Sequence, residues 1–320
     1  MISEALFPRW HPMANVRPTT ANPQLEPGGF RLRWLGTAGY IIETPKVTVL
    51  IDPYVSRPSL TRVALGKLRV NREAIERYIP ARVDAVCCGH AHFDHLLDAP
   101  IIARDRNALF VASATGAAFA RAHNVAREKI VTIPDVGKTI TVGDLEIKFV
   151  PSLHGKIFLG KVPFPGTLDV APSLPARAWH YKMGGAFGIW IQAKREDGSN
   201  GTSLYHNGSA DLIDAELDDL HADVLLVGLA GRQSTRDYLR RLVSHLTPSL
   251  VIPTHHDAFF APLAEGVRLL PRIDLQGFLA ETRMLTPTAT RITPEYGEEI
   301  VVPANDARSA TLRSGTGFVI

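Results

Sequence analysis

An apolar stretch at residues 83–88 runs through one glycine straight into His90, His92, Asp94 and His95. Neutral imidazole nitrogen and ionised carboxylate are the donors that zinc and its first-row neighbours prefer. The order of these residues constrains the fold more than any other feature. Side chains alternate along an extended strand, so His90 and His92 at a strand end face the same side. A helix beginning near Phe93 turns Asp94 and His95 toward a second point close by. One segment then supplies two ligands to each of two adjacent metals, provided a buried strand stops there and a helix starts.

Strand and helix signals surround this run in a regular order. Residues 30–34, 40–43 and 46–51 are short strands punctuated by Gly36 and Gly39, the last ending at Asp52-Pro53. Asn71 suits the cap of a helix over 72–79, which Pro80 stops. Helices at 95–104 and 116–123 and strands at 109–112, 130–133, 138–142 and 145–150 follow. Further on come strands at 186–193, 202–206, 223–229 and 250–252, with short ones near Thr290 and Ile300. Helices are expected from Asp211 through Leu220, from Ser234 or Thr235 to His245, and over 274–283. Strand groups flanked by helices recur in both halves, which predicts an α/β architecture of two sheets between helices. Gly36-Thr37-Ala38-Gly39 joins two strands and reads as a tight turn, since a phosphate cradle opens a helix.

Three further positions extend the ligand set. His154 follows the strand at 145–150, His255 follows the strand at 250–252, and Asp52 ends a strand as well. Strand ends gathered on one sheet edge are where α/β folds build sites. The segment 151–185 breaks the pattern with five prolines; a loop of that length suits a lid or binding wall. Residues 1–29 are also broken by proline and read as an extended arm that could wrap its own domain or a second subunit of a homo-oligomer. Residues 30–303 form the folded domain, and 304–320 a tail.

Composition excludes several classes. A formal charge of +3 over 320 residues, with no Lys/Arg block, argues against a nucleic-acid partner. No apolar run approaches the roughly 20 residues of a transmembrane helix, and the N-terminus lacks a signal-peptide pattern, so cytoplasm is expected. Cys87 and Cys88, the only cysteines, are adjacent and expected as reduced side chains on opposite faces of a buried strand.

The run His90-Ala91-His92-Phe93-Asp94-His95 resembles the HxHxDH signature of the metallo-β-lactamase superfamily, and the resemblance covers roughly residues 30–301. It implies an αββα sandwich with the site at one edge. Carried over residue by residue, His90, His92 and His154 would hold a first Zn2+, and Asp94, His95 and His255 a second. One or two ions are compatible with this set, and Mn2+ or Fe2+ with the same donors. Asp52 would support the site from behind. The implied activity is that of a metal-dependent hydrolase, a metal-bound hydroxide attacking an ester or lactone while Asp94 orients the nucleophile or takes a proton. The wording Ile51-Asp52-Pro53-Tyr54 and Pro253-Thr254-His255 looks most like the branch with L-ascorbate-6-phosphate lactonase and N-acyl-phosphatidylethanolamine phospholipase D. A phosphodiesterase, or a metal-binding protein without catalysis, is the alternative. No Gly-x-Ser-x-Gly motif supports an acyl-serine route.

The chain departs from the family in one place. The metal-bridging aspartate usually follows the strand at 202–206, but here His206-Asn207-Gly208-Ser209-Ala210-Asp211 puts Ser209 in its position. Asp211 comes two residues later and also suits a helix N-cap; Asn207 or His206 could compensate. The second metal should therefore bind more weakly. His256 and Asp257 are expected behind the ligands, Asp98 on a solvated helix face, and His123, His221 and His245 at the surface. Lys156, Lys161, Arg177 and Lys182 could clamp an anionic small-molecule substrate or be ordinary solvated charges. Phe158, Phe164, Trp179 and Tyr181 could wall an apolar pocket, and core packing explains them equally well.

Overall fold

Alternation along the strands sorts apolar side chains onto two faces, and each face has its own cover. The computed structural model describes residues 7–9, 24–157 and 160–313; residues 1–6, 10–23, 158–159 and 314–320, including Phe158 and most of the expected arm, lie outside the described residues. The first sheet takes β1 (Phe30–Gly36), β2 (Gly39–Glu43), β3 (Thr48–Ile51), β4 (Ala85–Cys87), β5 (Leu109–Ser113) and β6 (Ile130–Ile133). The second takes β7 (Lys138–Val142), β8 (Leu145–Ser152), β9 (Ala186–Lys194), β10 (Asn200–Asn207), β11 (Val224–Gly228), β12 (Leu250–Thr254) and β13 (Thr290–Arg291). The chain then returns to the first sheet with β14 (Glu299–Val302) and β15 (Thr311–Arg313). Strand order is β15-β14-β1-β2-β3-β4-β5-β6 in one sheet and β13-β12-β11-β10-β9-β8-β7 in the other. β15 lies beyond residue 303, so part of the expected tail belongs to the sheet.

Phe30, Leu32 and Trp34 of β1 meet Leu145, Ile147 and Phe149 of β8 in the central core between the sheets. The alternate residues Ile41, Leu50 and Val86 face outward into a second core. That core is closed by α2 (Arg72–Tyr78), α3 (Phe93–Leu96), α4 (Ala99–Asp105) and α5 (Ala114–Ala122), which follow α1 (Leu60–Leu65) in the chain. A third core lies on the far side of the second sheet, under α6 (Tyr238–Leu246) and α7 (Leu275–Leu285). Cys87 and Cys88 fall in the central and outer cores respectively, both free and buried, as period two requires. The result is the expected αββα sandwich.

Three helix expectations need correction. The helix expected over 95–104 is two helices, α3 and α4, with Asp98 between them. Pro100 is the cause: in a continuous helix its ring would meet the carbonyl of Leu96 and it has no N–H to offer. Between Asp211 and Leu220 only Asp214–Glu216 forms a 3-10 turn. Leu212 and Leu217 are both buried in the same core, whereas an α-helix would place them about 140° apart. The Asp214 carboxylate is instead taken by Arg241 and His245 of α6. α6 itself starts at Tyr238, and the Ser234 hydroxyl accepts from the Lys156 amide rather than capping it.

Strand direction explains where the site must be. β3, β4 and β5 are parallel in one sheet, and β10, β11 and β12 are parallel in the other. β8 and β10 each pair antiparallel with β9, so they also run alike. Asp52, His90, His154, Ser209 and His255 therefore all follow strand ends. The Phe187 amide donates to the Gly89 carbonyl at 2.8 Å, tying the two sheets together beside the ligand run.

Candidate metal centre

Six side chains from three strand ends converge in two groups, His90 with His92 and His154, and Asp94 with His95 and His255. Within each group the ligand atoms lie within 4.8 Å of one another, and all six residues are buried. The groups adjoin: the rings of His90 and His95, one from each, are 3.8 Å apart at their centroids. They share no residue among those described.

Three of the five rings have a partner on their far side. His92 Nε2 donates to the Pro163 carbonyl at 2.9 Å, which leaves Nδ1 as the bare nitrogen facing His90 Nε2 at 3.0 Å. His154 Nδ1 donates to the Gly155 carbonyl at 2.7 Å and leaves Nε2 inward. His95 Nδ1 is 2.8 Å from Asp52 Oδ2, and its Nε2 is buried with no hydrogen-bond partner. Fixing the tautomer of a ligating imidazole from behind is what metal sites require. The unpartnered His95 Nε2 would otherwise be a costly buried orphan. Donor chemistry and orientation thus fit a divalent first-row ion in each group.

Electrostatics separate the groups. Burial first, then the neighbouring imidazoles, hold His90 well below its ordinary value. The same causes bring His92 down to about 3. Burial also lowers His154 to about 4, against the hydrogen bond to Gly155. Ligation needs neutral imidazole, and these three are held neutral. In the second group burial also acts against charge, yet the carboxylates of Asp52 and Asp94 outweigh it and raise His95. Burial likewise disfavours the Asp94 carboxylate, but His95 and His255 outweigh it and hold Asp94 low. Its Oδ2 is 3.3 Å from His255 Nε2 and 3.9 Å from His95 Nε2.

The remaining sequence candidates fall in various places. Asp52 stands behind His95 and accepts the Gly89 amide on Oδ1 at 2.8 Å. The Ser209 hydroxyl donates to the Leu153 carbonyl, beside His154. Asp211 does not replace a bridging carboxylate: its Oδ1 accepts the Leu212 amide and faces Arg241 at 3.9 Å. His206 is buried outside both groups, edge-on to Tyr40, and Asn207 donates to the Asp211 carbonyl. His256 stacks on Trp34 at 4.8 Å, while Asp257 pairs with Arg57. Tyr181 is no pocket wall; it is buried against Phe119 with centroids 4.6 Å apart. Trp179 lies under Arg177, and Lys156 and Lys161 are exposed. Asp98 is fully buried rather than solvated, and burial raises it to about 6 against the hydrogen bonds from Ser56 and Val55.

Several contributors carried no sequence signal. The Pro163 carbonyl lies in the irregular segment, which is docked rather than loose: Met183 donates to the Phe164 carbonyl and accepts from Ala91, and Leu168 donates to Thr115. Thr37, in the glycine-rich turn, accepts the His255 amide at 2.8 Å. The turn was legible as a turn, its grip on a ligand was not.

A family model described as the beta-lactamase superfamily domain matches residues 31–255. A UPF0173 metal-dependent hydrolase of Anaeromyxobacter dehalogenans is 27% identical over 278 residues, 84% of this chain and 88% of that one. Igni18, a metallo hydrolase from Ignicoccus hospitalis, superposes with a TM-score of 0.53 at 18% identity, over 85% of this chain and 98% of its own. CmlA, a diiron beta-hydroxylase from Streptomyces venezuelae, gives 0.54 at 14% identity, over 88% of this chain and 55% of that chain. At these identities the two structural likenesses speak for the fold alone. No helix among the described residues is long and apolar enough to cross a membrane.

Proposed function

The chain belongs to the beta-lactamase superfamily, with the metallo-β-lactamase fold, and is a metal-dependent hydrolase; from that premise we propose a zinc-dependent reaction on an uncharged ester or lactone. The observation that carries the substrate reading is what flanks the ligand rings. Phe164 stands edge-on to His92 at 6.1 Å and Phe259 edge-on to His255 at 5.4 Å. Among the described residues, ion pairs of the two ligand groups run between His95, His255, Asp94 and Asp52 and include no lysine or arginine. A phosphodiester would call for such cations. Arg177 is engaged elsewhere, with the Leu65 carbonyl. Zinc is the ion that a group of three neutral imidazoles suits best; Mn2+ and Fe2+ are the alternatives the carboxylate-bearing group would accept.

When bound, a divalent ion supplies Lewis-acid polarisation of the substrate carbonyl and brings the pKa of a water to roughly 7. The side chains do the rest. Asp94, held ionised beside His95 and His255, orients the attacking water, accepts its proton and returns it to the leaving alkoxide. His92 and His154 keep their bare nitrogens inward through Pro163 and Gly155. Phe164 and Phe259 exclude water from the flanks.

The test compares a chromogenic lactone and a p-nitrophenyl ester with bis(p-nitrophenyl) phosphate on zinc-loaded protein. We expect kcat/KM for the lactone or ester to exceed that for the phosphodiester by about a hundredfold. The reverse order would move the chain to the phosphodiesterase reading, favoured by exposed Lys156 and Lys161. Turnover of neither class by metal-loaded protein would sink both.

A further inference from the structure

The segment from Asp52 to Arg57 supplies no ligand, yet it grips both arms of the second group. At its start the Asp52 carboxylate is against His95 and the Gly89 amide. In its middle the amides of Val55 and Ser56 donate to Asp98 Oδ2 at 2.7 and 2.8 Å, and the Ser56 hydroxyl donates to the other oxygen. Asp98 lies three residues after His95, on the break between α3 and α4. At its end Arg57 sends a guanidinium, 1% exposed, onto the fully buried carboxylate of Asp257, two residues after His255.

From Arg57 a short chain of contacts reaches the ligand. Asp257 Oδ2 takes Arg57 and the Tyr296 hydroxyl, and Asp257 Oδ1 takes the Thr37 amide at 2.8 Å. The Thr37 carbonyl then accepts the amide of His255 at 2.8 Å and the hydroxyl of Thr254 at 2.7 Å. His255 has need of this hold. Its φ of 51° is left-handed, a conformation that costs a β-carbon residue of order 1–3 kcal/mol and persists only where the surroundings impose it. Space for the guanidinium is reserved in the turn: a Cβ at Gly36 would stand 1.9 Å from Arg57 Nη2.

We propose that Arg57, through Asp257 and Thr37, is a positioning residue for the metal ligand His255, and that the 52–57 segment sets the affinity of the second group independently of the first. The inference rests on the reading of Asp94, His95 and His255 as ligands, and it does not depend on the substrate. An ion pair that merely holds the fold together would lower the melting temperature without singling out one group, so stability is not the readout.

Co2+ uptake by the apoprotein, followed by d–d absorption and competition with a chromophoric chelator, is measured for Arg57→Met, His255→Ala, His92→Ala and the two double variants. Arg57→Met is expected to weaken uptake at least tenfold, Arg57→Lys to recover most of the loss, and Arg57→Met in the His255→Ala background to add nothing, because the shared partner is already gone. In the His92→Ala background the Arg57→Met loss persists in full. Additivity with His255→Ala, or wild-type uptake by folded Arg57→Met, would overturn the proposal. Should Arg57→Met not fold, Asp257→Asn, which keeps an acceptor for Thr37, is read by the same cycle. Normal Co2+ coupling with no ester turnover would instead count against the substrate reading and leave the positioning role standing.

Discussion

The two ligand groups touch, yet they are held by different kinds of structure. His92 and His154 are oriented by main-chain carbonyls of an irregular segment, Pro163 and Gly155. His95 is oriented by a buried carboxylate, and His255 by an amide contact backed by a buried ion pair. The first group is three imidazoles held neutral; the second carries the Asp94 charge and a histidine pushed toward its charged form. On the proposed function, this difference divides two tasks between the groups. A neutral all-nitrogen group suits a resident ion, and an anionic group beside an ionised base suits proton transfer and a more exchangeable ion.

The largest expected effect tests the neutral group. His92→Ala should abolish ester turnover, a fall in kcat/KM of about a thousandfold or more, with loss of bound metal by elemental analysis. An unchanged rate would point to a contaminating enzyme and dissolve the comparison.

A smaller effect is expected from restoring what the second group lacks. Ser209→Asp places a carboxylate at the position that hosts the bridging ligand in the resembled family, beside His154. Uptake of a second equivalent of metal should tighten about tenfold, near 1.4 kcal/mol, by calorimetric titration. No change would mean that the two groups are too independent for a shared ligand to matter.

The smallest effect concerns the metal-free protein and distinguishes the groups by sign. His92, at about 3, and His154, at about 4, lie below the unfolded value of about 6.5. Between roughly pH 4 and 6.5 the unfolded chain binds protons that the folded chain refuses, so apoprotein stability falls as pH drops, by at most about 1.4 kcal/mol per pH unit for each histidine. His95 behaves oppositely: its pKa is raised, so its contribution is present below about 6.5 and is lost as pH rises through the folded value. Melting curves should show a flatter acid limb for His92→Ala and a flatter alkaline limb for Asp52→Asn. Identical profiles for both variants would erase the electrostatic distinction.

What the sequence disclosed follows the range of the interactions involved. The ligand run, the strand ends and the Asn71 cap, whose side chain accepts the Ala74 amide, are local patterns, although β4 stops at Cys87 and leaves His90 and His92 in the bent chain beyond it. That the strands form two sheets followed from their recurrence between helices, but the return of β14 and β15 to the first sheet had no local signal. Asp98 could not be read as buried, because its partners Val55 and Ser56 are 43 and 42 residues upstream. Arg57 and Asp257 are 200 residues apart, and nothing in either neighbourhood marks them as a pair. The false helix after Asp211 has the same origin, since Arg241 and His245 claim Asp214 from α6. Tyr181 stayed open for a different reason: an aromatic ring in a loop suits a pocket wall and a core equally well, and Phe119 decides it.

One contact has an evolutionary side. The partner that fixes His92 is a peptide carbonyl and not a side chain, so it survives almost any replacement at position 163. Drift can therefore recolour the surrounding wall residue by residue, and with it the range of molecules admitted, while the catalytic ion stays in place. A one-residue insertion or deletion next to Pro163 would carry the oxygen away from the imidazole. Selection on this segment should tolerate changes of letter and punish changes of length.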